Sequence, residues 1–298
     1  MNGRYLWGTI LIVLTLCGCS NNDANNESSS FVKYGISNGV KSVKVLSYKA
    51  VEDFENIDKG DILNQGNYTM KFDNSGNCIE IANYSAKGEL SSKTLYEYAS
   101  DTQMLIKEKY YSSSNELGTE KTYEYDGSFL SSRIDYDPDA KDLIKYGISS
   151  PIYMKFEYTN DTKHITGFTR YDDEKKSAVF KYVWTDNVAQ IVAYDASGTT
   201  KTGHYRIEEY DSYDRIIKMV YGDTGTICEV EYNEKGLPIY LKNAHMSNTT
   251  VVFDPYNKTE KTLYYTYTYD KKGNWIERIE YEGVIKKPIA ISTQTIEY

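Results

Sequence analysis

Leu263-Tyr264-Tyr265-Thr266-Tyr267-Thr268-Tyr269-Asp270-Lys271-Lys272-Gly273-Asn274-Trp275-Ile276 is the stretch that makes the chain legible. Leu263, Tyr265, Tyr267 and Tyr269 recur with a period of two, the spacing of a half-buried strand, and Tyr and Thr favour that state. Asp270 then opens a turn, because an Asx side chain bonds the turn backbone, and Gly273 accepts the left-handed geometry that follows. A type I turn with a Gly bulge between two antiparallel strands fits best. Ile276 and, five residues on, Tyr281 continue into the second strand, on opposite faces unless a bulge intervenes.

The same phrase returns as Phe72-Asp73-Asn74-Ser75-Gly76-Asn77 and Tyr232-Asn233-Glu234-Lys235-Gly236-Leu237. Looser copies start at Tyr98, Tyr125, Tyr158, Trp184 and Tyr210, those at Tyr125 and Trp184 fitting poorly. The starts lie mostly 22 to 37 residues apart, the range of a repeat architecture. Where Gly is missing, Asp214 stands in its slot, and Asp101 and Asp161 stand one place earlier in theirs. The turn residues singled out are therefore Asp73, Gly76, Asn233, Gly236, Asp270 and Gly273. A second turn, such as Ser85-Ala86-Lys87-Gly88, leads into each next copy. The expected fold is all-β, an extended antiparallel meander of repeated hairpins with on the order of sixteen strands, curved or partly closed. A weaker echo, Lys33 to Ser37, recurs as Lys145 to Ser149.

Over residues 68 to 285 these phrases resemble the RHS or YD-repeat family, whose units carry an aromatic-Asp-x-x-Gly turn followed by an aliphatic strand. The resemblance implies strands that build curved sheets or shells. It differs from that family in its small repeat number, and the last phrase runs nearly to Tyr298, so a delivered C-terminal toxin is not expected.

The N-terminal residues carry an address. Arg4 is followed by an apolar run from Leu6 to Leu16 and by Leu16-Cys17-Gly18-Cys19. Such a run spans roughly 16 Å as a helix, about half a hydrocarbon core, which marks a signal peptide over 1–18. The closing residues look like a bacterial lipobox, which implies lipid attachment at Cys19 and a membrane partner through that lipid. Residues 19–30 are Asn, Ser and acid without a large apolar side chain, a flexible tether. Ser20 after the Cys resembles lipoproteins sent to the outer membrane, and Asp23 and Glu27 thinly resemble the acidic patch that marks cell-surface export in Bacteroidetes-type bacteria. Residues 31–298 are read as a single β-repeat domain, opened by an atypical cap over Phe31 to Gly66.

The formal net charge is −9 with Arg4 included, hence −10 without residues 1–18, which disfavours a nucleic-acid partner. Cys78 and Cys228 are expected as free, strand-borne thiols, too far apart for a disulfide unless the sheet closes on itself. His164, His204 and His245 are isolated, and no phosphate loop, nucleophile elbow or dinucleotide fingerprint is present, so no cofactor is expected. Asp135, Asp137, Asp139 and Asp142 have the alternate spacing that begins a calcium loop, but Ala140 and Tyr146 stand where that loop needs Gly and Glu. Most aromatics, Trp184 and Trp275 among them, are read as strand residues serving the sheet. Tyr110, Tyr213 and Tyr264 fall out of phase and are the candidates for recognition.

The function expected is a lipid-anchored, non-enzymatic β-repeat protein binding a glycan, peptide or partner protein at the envelope. The alternative is an envelope or surface polymer hydrolase using paired carboxylates. An outer-membrane barrel is disfavoured by the segments Arg206 to Asp211 and Lys107 to Lys109, since one face of each spanning strand must be apolar.

Overall fold

An Asx turn organises the clearest hairpins. In the computed structural model Asp270 Oδ1 accepts from the backbone N–H of Lys272 and of Asn274, both at 2.9 Å, and Gly273 takes φ +85°. Asp73 Oδ1 accepts from Ser75 at 2.8 Å and Asn77 at 2.9 Å, with Gly76 at φ +85°. Asn233 Oδ1 accepts from Lys235 and Leu237 at 3.0 Å, with Gly236 at φ +77°. Asp214 occupies the left-handed slot of the Asp211 turn at φ 57°; in the Tyr98 copy that slot is filled by Gln103 at φ 58°, not by Asp101. The ill-fitting copies at Tyr125 and Trp184 are shorter hairpins, closing as Asp126 opposite Phe129 and Thr185 opposite Val188. Replacing Asp214 by Gly is expected to raise stability by up to about 1 kcal/mol, because a side chain at positive φ is strained and Asp211, not Asp214, caps the turn. Chemical denaturation of the variant checks this.

The structure describes residues 36, 39–54, 56–138, 152–161, 164–248, 250–256 and 260–298. The signal peptide, Cys19, the tether, Asp139, Asp142 and both echo segments, apart from Ile36, lie outside them. The strands in the first half are β1 (Ser42–Asp53), β2 (Asn56–Ile62), β3 (Asn67–Phe72), β4 (Cys78–Tyr84), β5 (Leu90–Tyr98), β6 (Leu105–Ser112), β7 (Leu117–Asp126), β8 (Phe129–Asp137), β9 (Ile152–Asn160) and β10 (Ile165–Asp172). They continue as β11 (Lys175–Thr185), β12 (Val188–Tyr194), β13 (Lys201–Tyr210), β14 (Ile216–Tyr221), β15 (Ile227–Tyr232), β16 (Pro238–Lys242), β17 (Ala244–Ser247), β18 (Thr250–Phe253), β19 (Thr262–Tyr269), β20 (Trp275–Glu282) and β21 (Lys287–Glu297).

The meander closes. From β3 to β16 every strand pairs with its successor, β16 passes to β19, and β1 pairs with β3 on one edge and with β21 on the other, making an antiparallel barrel of 18 strands. Short turns hold each neighbour antiparallel, and closure removes the free edges an open sheet would expose. Beyond Val45, β1 exchanges β3 for β2, from Tyr48 opposite Ile62 to Asp53 opposite Asn56. Closure also removes the reason given above for keeping the thiols apart, yet Cys78 and Cys228 are both buried and not joined in a disulfide.

Each long hairpin carries a bulge beside its turn. Lys71 faces Glu80 while Phe72 faces Cys78, so Ile79 is the extra residue; the same displacement sets aside Ile106, Ile217, Ile239 and Ile276. The aliphatic of the repeated phrase is thus a bulge residue, and Ile79, Ile106 and Ile276 remain 36 to 37% exposed. The carbonyl just before the bulge receives a hydrogen bond from a polar tip farther along the chain. Tyr98 Oη donates to Cys78 O at 3.0 Å, Tyr125 Oη to Leu105 O at 3.0 Å, Trp184 Nε1 to Ile165 O at 2.8 Å and Tyr267 Oη to Pro238 O at 2.8 Å. Asn160 Nδ2 does the same for Leu130 O at 3.1 Å, and Gln294 Nε2 for Trp275 O at 2.9 Å. This is the physical reason for tyrosine in place of phenylalanine: the ring fills the interior and the hydroxyl satisfies the irregular backbone of the unit before it. Tyr125→Phe and Tyr267→Phe are each expected to cost about 1 to 2 kcal/mol. Tyr269→Phe, whose hydroxyl accepts from Asn233 Nδ2 in a more exposed position, should cost only about 0.5 kcal/mol. Urea titrations of the three variants test the ranking.

The barrel interior is filled. Residues opposite one another share a face, and the buried side chains of β1, β3 and β4 (Val43, Val45, Tyr68, Met70, Ile81) form one inward cluster with Trp275 and Leu237. Phe156, Tyr158, Phe168, Tyr182 and Ile191 form a second, and Cys228, Val230, Leu241, Leu263 and Tyr265 a third. The hairpin β17–β18 leaves the wall between β16 and β19 and packs Ala244, Met246, Val251 and Phe253 onto that third, inward-facing cluster. Near its tip Asn248 Nδ2 donates to Asn83 Oδ1 of β4 at 2.9 Å, so the hairpin also touches a strand of the wall six places round the barrel from β16.

Candidate ligand-binding surfaces

Alternation along the strands creates two walls of different chemistry. On the inner wall an arginine stands two residues before a carboxylate in β8, β10, β13 and β20, so that both point inward: Arg133 with Asp135, Arg170 with Asp172, Arg206 with Glu208, and Arg278 with Glu280. Nε meets a carboxylate oxygen at 2.8 Å in the first two and 2.7 Å in the third. Aromatic faces complete the surroundings. The Arg133 guanidinium lies 4.3 Å from the Phe156 ring centroid, and that of Arg278 lies 5.5 Å from Tyr265 and 5.7 Å from Trp275. Burial pushes the Asp135 and Glu280 carboxyls above the ordinary carboxylate range, with Arg133 and Arg278 pulling the other way. Burial pulls the Arg206 guanidinium down, and Glu208 leads the groups that more than restore it. Glu108, tied to Lys121 at 3.1 Å and accepting from Tyr123 Oη at 3.3 Å, continues this wall toward Tyr110, whose ring is 40% exposed.

The outer wall carries cross-strand ion pairs: Lys71–Glu80 at 2.8 Å, Lys109–Glu97 at 2.7 Å, Lys107–Glu120 at 3.5 Å and Lys242–Glu229 at 3.9 Å. Individually such exposed pairs stabilise little. Collectively they interrupt, on the strands that carry them, the apolar band a lipid-facing wall needs. This amends the argument made from Arg206 to Asp211, because Arg206 and Glu208 point into the lumen; Lys107 and Lys109 are the outward residues that carry it.

A groove of about 360 Å³ crosses the outer wall over β13 to β16, lined by Glu209, Lys218, Glu229, Glu231 and Tyr240. Glu231, Tyr240, Tyr264 and Tyr281 stand directly opposite one another on successive strands, so the groove runs on into a row of tyrosines. The Tyr240 and Tyr264 centroids are 5.3 Å apart at 51°, and Lys286 Nζ lies 4.6 Å from the Tyr264 centroid.

The residues singled out in the sequence are dispersed. Asp135 is engaged by Arg133, Asp137 ends β8, and no cluster of three metal-ligating side chains occurs among the described residues. Tyr110 faces the lumen, Tyr213 is an exposed turn residue 5.0 Å from the Arg215 guanidinium, and Tyr264 stands opposite Tyr240 in the outward row that continues the groove. His164 stacks on Trp184 at 4.2 Å, and His204 Nδ1 lies 3.6 Å from Asp223. The inner arginine ladder escaped notice, although its signal, Arg-x-Asp or Arg-x-Glu at strand spacing, is visible at Arg133, Arg170, Arg206 and Arg278.

No protein-family model matches the chain, and no curated protein matches it. Among solved structures, a porin-like protein from Bacteroides uniformis is similar at 15% identity and a TM-score of 0.37, over 87% of this chain and 98% of that one. A porin-like protein from Bacteroides vulgatus is similar at 11% identity and a TM-score of 0.36, over the same shares. The TcdB2-TccC3-Cdc42 structure is similar at 13% identity and a TM-score of 0.32, over 79% of this chain and 15% of that one.

Proposed function

We propose that the chain is a lipid-anchored, non-enzymatic binding protein of the bacterial envelope, built from RHS-like repeats rolled into a lone barrel. The observation that carries this reading is the charged outer wall: with Lys71, Lys107 and Lys109 facing outward beside their glutamates, the body stays in water. Membrane attachment then falls to the N-terminal segment, whose Arg4, apolar run and Cys19 have the character of a processed and lipidated leader. Support for the repeat reading comes from the Asx-Gly turn, the bulge beside it and the tyrosine cap from the next unit, which recur together at Asp73 and Asn233. The inward carboxylates Asp135, Asp172 and Glu208 are each held by an arginine, which suits a structural role better than acid and base work.

Detergent phase partitioning of the full chain expressed in a Gram-negative host tests the anchor. The wild type is expected in the detergent phase and the Cys19→Ala variant in the aqueous phase. A Cys19→Ala variant that stays with detergent would show that another element, or the barrel itself, holds the membrane.

A further inference from the structure

We propose that the outer-wall groove from Glu209 to Tyr281 binds a neutral glycan chain, the pyranose faces lying on Tyr240, Tyr264 and Tyr281 and the hydroxyls bonded by Glu209, Lys218 and Glu231. The proposal deepens, and rests on, the binding-protein reading above.

Geometry comes first. The register sets Glu231, Tyr240, Tyr264 and Tyr281 in one line across β15, β16, β19 and β20, on the face opposite the buried Val230, Leu241, Leu263 and Tyr265. Neighbouring strands are about 4.8 Å apart, close to the length of one sugar unit in an extended β-linked chain, so successive rings meet successive tyrosines. Tyrosine suits such a platform because it offers an apolar face with a polar tip at small entropic cost. The groove that continues the line supplies carboxylate acceptors and an ammonium donor, the pairing that hydroxyl groups, at once donors and acceptors, require.

Charge and topology narrow the occupant. In the groove lining Glu209, Glu229 and Glu231 outnumber Lys218, with Lys242 beside Glu229 and Lys286 over the Tyr264 ring, and the chain carries a net charge of −9, so the balance at this surface disfavours an anionic polymer. An extended peptide ordinarily gains its affinity by adding a strand to a free sheet edge. The strands beneath the groove are bonded on both sides within the closed barrel, so recognition there is by side chains alone. Stacking and hydroxyl bonding need no backbone ladder.

The purified full chain in detergent micelles would be screened against an array of neutral oligosaccharides, with polygalacturonate and a blocked hexalysine peptide beside it, and hits measured by calorimetry. A neutral oligosaccharide is expected to bind, and Tyr240→Ala and Tyr264→Ala are each expected to weaken it by about tenfold or more. Tyr110→Ala, on the lumen side, should leave it unchanged. Should the alanine variants fail to fold, Glu209→Gln and Glu231→Gln carry the test and are expected to weaken binding by several fold. Glycan binding that survives the Tyr240→Ala/Tyr264→Ala double variant, or these Gln variants, overturns the groove and leaves the binding-protein reading standing. Hexalysine or polygalacturonate bound in place of a neutral glycan overturns the ligand class. A wild type that binds none of these probes overturns the glycan proposal and leaves the binding-protein reading to a partner protein.

Discussion

Replacing Glu208 by Leu is expected to lower the free energy of unfolding by about 3 kcal/mol, read as a lower urea midpoint at unchanged slope. Glu208 is 3% exposed, its carboxylate meets Arg206 Nε at 2.7 Å, and Tyr210 donates its hydroxyl to it. Removing that carboxylate leaves a guanidinium and a phenol in the barrel wall without the anion that holds both, and an uncompensated buried charge is among the most costly lesions a core can carry. The triple variant Arg206→Met, Glu208→Leu, Tyr210→Phe removes donors and acceptor together and should return to within about 1 kcal/mol of wild type. If the single substitution costs nothing, the wall is wetter than its burial indicates and the pairing is ornamental to stability.

Phe156→Ala is expected to cost about 4 kcal/mol. The ring is 1% exposed, stands 5.9 Å edge-on from Phe168 and lies beneath the Arg133 guanidinium at 4.3 Å. Truncation empties space that the hydrogen-bonded walls on either side cannot close, and it takes away the face on which Arg133 rests. A double-mutant cycle with Arg133→Met should therefore show a coupling of about 1 kcal/mol. Strict additivity would mean that the cation and the ring meet without consequence.

The hairpins were legible because their determinants are local. Asp270 and Gly273 specify a turn within a few residues, and the period of Tyr265, Tyr267 and Tyr269 specifies a strand without reference to the rest of the chain. Closure was not legible, because nothing in Ser42 to Lys49 says that Lys49 to Ala290 and Val43 to Ile296 must pair; that follows from the twist and tilt accumulated over the whole sheet. The bulges hid for a related reason. Ile79 reads as an ordinary strand residue until the register shows two residues opposite one. The candidate groove draws Glu209, Lys218, Glu231, Tyr240, Tyr264 and Tyr281 from six strands, and of these only Tyr264 stood out in the sequence, by falling out of phase with its neighbours. The others look like surface residues until adjacent strands set them in line.

The seam between β1 and β21 has a kinetic side. Ser42 must wait for Glu297, 255 positions later, before its second edge is covered, so during synthesis the growing meander carries two bare ladders. Folding of such non-local pairings is slow, and every intermediate short of the seam is a template for joining another chain end to end. The protein's hazard therefore lies in its youth: a chain stalled or cut just before β21 keeps its earlier turns and all its other strands, and still has the shape of something that polymerises.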